Sequence, residues 1–218
     1  CLGAGTGLGE CFLTPSHTDD EEQGYDCHPS EGGHAEFVPR TPLELELRES
    51  LKLTFDEPYR VSVERVVSGI GLANVYEFLA GKFPEEVKEG VNVEFEGAGD
   101  QKGEVVTRHK KDCGLCAMAL DVFASTFGTE AGTCALNFIP TGGLFLTGGI
   151  PPKLLASYPE LLLGRDSPFQ RAFGDKGRLS PLLKTIPVFL VKTNDLGIRG
   201  ARVVALKDLK RHQRKNAL

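Results

Sequence analysis

Leucines at 43, 47 and 51 recur one helical turn apart, with Leu45 off their face. Thr41 stands ahead of them as an N-cap and Pro42 takes the first helical position, so "TPLELELRESLKLTF" predicts a helix. A longer helical run is expected from about Thr107 to Phe138, where Leu115, Met118, Ala119, Val122 and Phe123 share a face. Gly128 and Gly132 either kink that run or admit close packing. "VSVERVVSGIGLANVYEFLAGKF" reads as two short helices interrupted at Ser68–Gly71. Further helices are predicted over Pro152–Leu163, within "SPFQRAFGD", and over Ile198–Lys207.

Short apolar runs bounded by glycine or proline predict strands at Leu8–Leu13, Leu144–Thr147 and Ile186–Val191. Strands alternating with helices make the chain α/β. Polar stretches separate the elements. Residues 16–23 read as an acidic surface loop, 90–104 as an exposed glycine-rich insertion reaching to about 110, and 208–218 as a basic tail. No internal repeat is visible.

At 218 residues, 40% hydrophobic and 25% charged, the chain is long and apolar enough to bury a core as one large domain. A net charge of −5 gives no electrostatic reason to expect nucleic acid or an anionic membrane as a partner. No apolar run reaches the ~18 residues of a spanning helix, and no secretory signal is visible. The six cysteines are scattered rather than spaced as a disulfide framework. Reduced thiols in a cytoplasmic compartment are therefore the expectation. The chain opens at Cys1 without an initiator methionine, which leaves a lost targeting peptide as an open alternative.

Four stretches carry candidate chemistry. "GAGTGLG" (Gly3–Gly9) is glycine-dense enough to bring backbone N–H groups onto an anion, with the Thr6 hydroxyl as a further donor. No Lys-Ser/Thr follows it and a strand comes next, so it is neither a Walker A loop nor a Rossmann fingerprint; a tight hairpin turn is the plain alternative. "GGIPPK" puts Gly148 and Gly149 between a strand and a helix N-terminus, a crevice suited to phosphate or nucleoside or an ordinary turn. "EGGH" sets Glu31 and His34 three apart, able to share vicinal hydroxyls or simply a surface turn. Cys113-Gly-Leu-Cys116 falls inside a predicted helix without a second CxxC, and is read as packing. A hydrolase nucleophile elbow is absent.

In order, "GAGTGLG", "SEGGHAEFVPR", "ERVVSGIGLANVY", "GGLFLTGGIPPK" and "SPFQRAFGDKGRLSPLLKTIPVFLV" resemble the bacterial-type glucokinases of the actin-like, hexokinase-type ATPase superfamily, from Gly3 to about Gly200. The resemblance implies a ribonuclease-H-like large domain, with Gly3, Gly5, Thr6 and Gly7 as a second phosphate turn. Gly148 and Gly149 then lie beside the nucleoside, and Glu31, His34 and Glu64 hold glucose hydroxyls. It implies ATP as donor with Mg²⁺, glucose as acceptor, and a common habit of homodimerisation.

Ala4 and Ile70 stand where the family usually has proline. The family's Asp-Gly-Gly-Thr motif is absent. Nor is the family's Asn-Asp pair, the source of its general-base aspartate, expected in this chain. The chain is accordingly expected to be the larger C-terminal part of a glucokinase, lacking the small N-terminal domain and the catalytic base, and to turn over negligibly alone. The alternative is a non-catalytic sugar- or nucleotide-binding module or regulatory relative. A glucokinase-like repressor fits poorly, since the chain is acidic and shows no helix-turn-helix segment.

Overall fold

The structure is a computed structural model that describes residues 1–16, 24–193 and 195–216, without the side chains of 210, 211 and 214–216. Most of the acidic loop expected at 16–23 lies outside the described residues.

One five-stranded sheet organises the molecule: β1 (Leu2–Ala4), β2 (Leu8–Pro15), β3 (Tyr25–Ser30), β4 (Leu144–Thr147) and β5 (Val188–Leu190), ordered β3-β2-β1-β4-β5. β1, β2 and β3 form an antiparallel meander, while β4 pairs parallel to β1 and β5 parallel to β4. Alternation decides the faces: Leu2, Ala4, Leu144 and Leu146 are buried, and Gly3 and Thr147 between them turn the other way. Leu2–Ala4 is enough strand to pair on both sides, and the Cys1 backbone nitrogen donates to the Cys11 carbonyl at 2.8 Å.

The helices follow as α1 (Pro42–Thr54), α2 (Gly69–Lys82), α3 (Glu89–Gly97), α4 (Lys102–Arg108), α5 (Gly114–Phe138), α6 (Ile150–Ser157), α7 (Pro168–Gly174), α8 (Ser180–Leu183) and α9 (Leu196–Asn216). α1 begins as predicted, with the Thr41 hydroxyl accepting from the Glu44 N–H at 3.1 Å. α5 is the central helix. Leu115, Ala119, Leu120 and Phe123 on it are fully buried, and Phe127 meets Phe169 of α7 edge-on at 5.5 Å. α5 runs through Gly128 and Gly132 without interruption, and both lie against α7, so they serve close packing. Cys113 and Cys116 are 1% and 0% exposed at its first turn, and burial pushes the Cys116 thiol up.

Several expectations are corrected. Residues 89–108 are no exposed insertion: α3 and α4 bury Val91, Phe95, Val105 and Val106 against the fold, and α4 packs on α2. The long run from Thr107 divides at 109–113, where His109 turns onto Asp112 at 3.0 Å. The first of the two helices around Ser68 is only a 3₁₀ turn, Val63–Arg65; Ser68 is the N-cap of the second, and Gly69–Gly71 lie inside it. The helix expected over Pro152–Leu163 ends at Ser157, because Pro159 holds Tyr158 out of helical geometry. α9 continues to Asn216 where a trailing tail was expected, and Lys207 on it donates to the Tyr25 carbonyl at 2.8 Å.

Candidate functional site: a glycine turn with two faces

The β1–β2 turn, Gly5–Gly7, is closed by a Gly5 N–H to Gly7 carbonyl bond of 2.9 Å. Its two sides meet different surroundings.

On one side, Gly5 and Thr6 wall a cleft of about 630 Å³ shared with Gly69 and Ile70 of α2, Gly149, and Lys153 of α6. Two helix N-termini converge there. The Gly69 N–H donates to the Gly5 carbonyl at 2.8 Å, and α6 opens directly after Gly149. The positive end of each helix dipole favours an anion at such a place, although few N–H groups are left to bind it: Gly69 and Gly71 donate to Gly5 and Ser68, and Pro151 and Pro152 of α6 have none. Gly148 makes the approach possible: its φ is +91°, and a Cβ there would run into the backbone of Ala4. Lys153 ends 3.4 Å from Glu104 and is largely exposed, a weak pairing that a phosphate could replace. Asp100, Gln101, Glu104 and Thr107 complete the far wall. Sequence reasoning missed this wall by reading 90–104 as an insertion. The spacing of Val91 and Phe95, one turn apart, was the signal for a packed helix.

On the other side, Leu8 is the meeting point. Its N–H donates to Glu64 Oε2 at 2.8 Å, and its carbonyl backs the 3₁₀ turn Gly32–His34 at Gly33. Gly7 leaves room for that carboxylate, since a Cβ on it would sit 2.5 Å from Glu64 Oε2. The segments carrying the acidic residues are sewn together. Val63 N–H donates to Ala35 at 2.8 Å, Phe37 N–H to Val61 at 2.8 Å, and Arg60 donates to the His34 carbonyl. Glu31 and His34 face each other at 3.8 Å with side chains 91% and 59% exposed. The two 3₁₀ turns that carry His34 and Glu64 thus pack beside Leu8, with Glu31 at the cap of the first, and Gly5, Thr6 and Gly149 line the cleft on the other side. Gly3 belongs to β1 rather than to the turn.

The sequence does hold one Asn-Asp dipeptide, at 194–195. Asn194 lies outside the described residues, and Asp195 pairs with Arg199 at 2.9 Å at the start of α9.

Fold and site together define a mixed α/β protein with a glycine-walled anion cleft backing onto a carboxylate-lined rim. The sequence model of the Glucokinase family matches residues 1–208. A glucokinase of Synechocystis sp. is 38% identical over 94% of this chain. The chain spans 58% of that relative's length. Among solved structures, a glucokinase from an Antarctic psychrotroph superposes with a TM-score of 0.64 at 28% identity, covering 89% of this chain and 53% of that one. A glucokinase of Balamuthia mandrillaris, solved in complex with glucose, shares the fold with a TM-score of 0.66 at 19% identity, covering 87% of this chain and 48% of that one. The chain belongs to the glucokinase family.

Proposed function

We propose that this chain supplies hexose recognition and half of the phosphate seat of an ATP-dependent glucokinase, which moves the γ-phosphoryl of ATP to the 6-hydroxyl of glucose. Its core is read as the ribonuclease-H-like fold of actin-like ATPases. One juxtaposition carries the reading: Glu64 and the Glu31–His34 turn meet at Leu8, directly behind the Gly5–Thr6 wall of the anion cleft.

Glu31 and Glu64 accept from sugar hydroxyls, each charge-assisted bond contributing about 1.5–3 kcal/mol. His34, 3.8 Å from Glu31, shares a hydroxyl with it. Gly5 and Thr6 take the nucleotide phosphates, Gly149 lies beside the nucleoside, and Mg²⁺ arrives with those phosphates as part of that substrate. Phosphoryl transfer depends chiefly on positioning and charge stabilisation, and this chain provides the positioning groups. The family's general-base aspartate matches no residue here, and loss of a general base costs about 10²–10⁴-fold in rate. Homodimer formation belongs to the same reading, resting on the resemblance alone.

Calorimetry of glucose binding tests it. Glu31→Gln and Glu64→Gln should each weaken binding by about 10- to 150-fold, the equivalent of 1.5–3 kcal/mol. Wild-type affinity in both variants, or no glucose binding by the chain, removes the reading. In a coupled assay the chain alone should phosphorylate glucose negligibly.

A further inference from the structure

Glu130 and Cys134 sit four residues apart on α5, hence on one helix face, and Glu10 of β2 reaches across to meet them. Cys134 Sγ lies 3.4 Å from Glu10 Oε2 and 3.7 Å from Glu130 Oε1. One ligand atom from each of the three falls within 4.8 Å of the other two. Glu130 is 7% exposed and Cys134 5%.

Two carboxylates brought together, Glu130 buried and Glu10 half-buried, are costly unless protons or a cation neutralise them. Among the described residues, no ion pair is made by either one. Lys176, the amine nearest in influence, hydrogen-bonds the Thr129 carbonyl at 3.0 Å instead. Glu10 Oε1 is closed to solvent and has no hydrogen-bond partner, so something outside the protein's own groups is left to satisfy it. Desolvation raises Glu10 above the ordinary carboxylate range, raises Glu130 to about 7, and pushes the Cys134 thiol up. Each shift is led by burial, and the cations in reach offset it only in part.

The spacing is that of a coordination shell. A tetrahedral zinc ion with Zn–S of ~2.3 Å and Zn–O of ~2.0–2.2 Å holds its sulfur and oxygen about 3.5 Å apart. The two measured sulfur–oxygen distances bracket that edge. A thiolate with two carboxylates suits Zn²⁺ better than Mg²⁺ or Ca²⁺, which take oxygen alone. Glu10 and Cys134 also line a cavity of about 590 Å³ bounded by Cys1, Phe138 and Thr141, which gives an ion a route in and a water a place as fourth ligand.

We propose that Glu10, Glu130 and Cys134 form a Zn²⁺ site that ties β2 to α5 behind the Gly32–His34 turn, where Gly32 lies against the Glu10 carboxylate. Binding exchanges the thiol and carboxyl protons for the cation, and those protons leave to solvent. No oxidation state changes. This site is independent of the glucose reading, since none of its residues belongs to the sugar rim or the phosphate turn.

The test strips the full chain with a chelator and titrates it with Co²⁺ alone, then with Zn²⁺ in competition. One equivalent should bind, with a thiolate-to-cobalt charge-transfer band and the strong visible bands of tetrahedral cobalt, both erased by Zn²⁺. Cys134→Ser should lose the charge-transfer band, and Glu130→Gln, which keeps the side chain's shape, should weaken cobalt binding by at least about tenfold. A Cys11→Ser/Cys27→Ser double variant, at two of the three thiols nearer solvent, should change neither. Absence of cobalt binding, a band that survives Cys134→Ser, or unchanged affinity in Glu130→Gln overturns the site. Should Cys134→Ser fail to fold, Glu10→Gln and Glu130→Gln decide between the same outcomes.

Discussion

The cleft face of the Gly5–Gly7 turn is made of backbone, and the rim face of side chains. Gly5, Gly69 and Gly149 offer peptide groups whose positions are set by the strands and helices they flank, and Gly148 behind them lets β1 and β4 approach. The rim depends on three side chains, and they are not equally held. Glu64 is locked by the Leu8 N–H at 2.8 Å, whereas Glu31 and His34 stand in solvent with only each other at 3.8 Å. A backbone-built surface cannot be altered without disturbing the fold. A side-chain-built one loses binding first, and loses stability only where a side chain is also part of the scaffold.

The largest break in that contrast belongs to the cleft. Gly148→Ala places a Cβ against the Ala4 backbone at φ +91°, so it combines steric overlap with left-handed strain. Thermal or denaturant unfolding should show a loss of more than about 3 kcal/mol; an unchanged midpoint would mean that the β4–α6 turn yields freely.

Behind the rim, Glu130 offers a pH readout. Burial raises its carboxyl from 4.5 to about 7, with Glu10, Cys134 and Lys176 as the groups facing it. Between those values the folded state keeps a proton that the unfolded chain gives up. Its contribution is complete below pH 4.5 and is lost as pH rises through about 7, a difference of about 3 kcal/mol. Unfolding measured with a chelator present should show this decline, and Glu130→Gln should flatten it. A slope identical in the variant assigns the proton elsewhere.

The smallest effects separate the rim residues from one another. Glu64→Ala leaves the Leu8 N–H without its acceptor and should cost about 1–3 kcal/mol of stability. Glu31→Ala, at an exposed position, should stay within about 0.5 kcal/mol of the wild type. Parallel unfolding curves check the pair, and equal losses would erase the distinction between a scaffold carboxylate and a free one.

Much of this was legible along the chain. Leu144–Thr147 is a strand to the residue, because three apolar positions and a threonine between glycine pairs leave no room for a helix turn. Thr41 and Pro42 marked the start of α1 by hydrogen-bonding and dihedral rules that operate within three residues. "EGGH" and "GAGTGLG" announced a turn and a loop through glycine spacing. What failed to show was amphipathic structure in weak helix formers. Residues 89–108 hold four glycines and four valines, weaker helix formers, and their packing on the fold makes them helical and turns Asp100 and Glu104 into the far wall of the cleft.

By itself, then, the amino-acid order determined the elements whose signals are short-ranged: caps, glycine turns, buried strands, and the five motifs that mark the family. Only the tertiary structure decided which face of the glycine turn meets Glu64 and which meets the cleft. It also decided that Glu10 and Cys134, 124 positions apart, share one buried corner. Local rules act through hydrogen bonds and dihedrals a few residues long. Such distant meetings depend instead on the whole sheet closing against α5, where burial and packing pay the entropy of bringing the ends together.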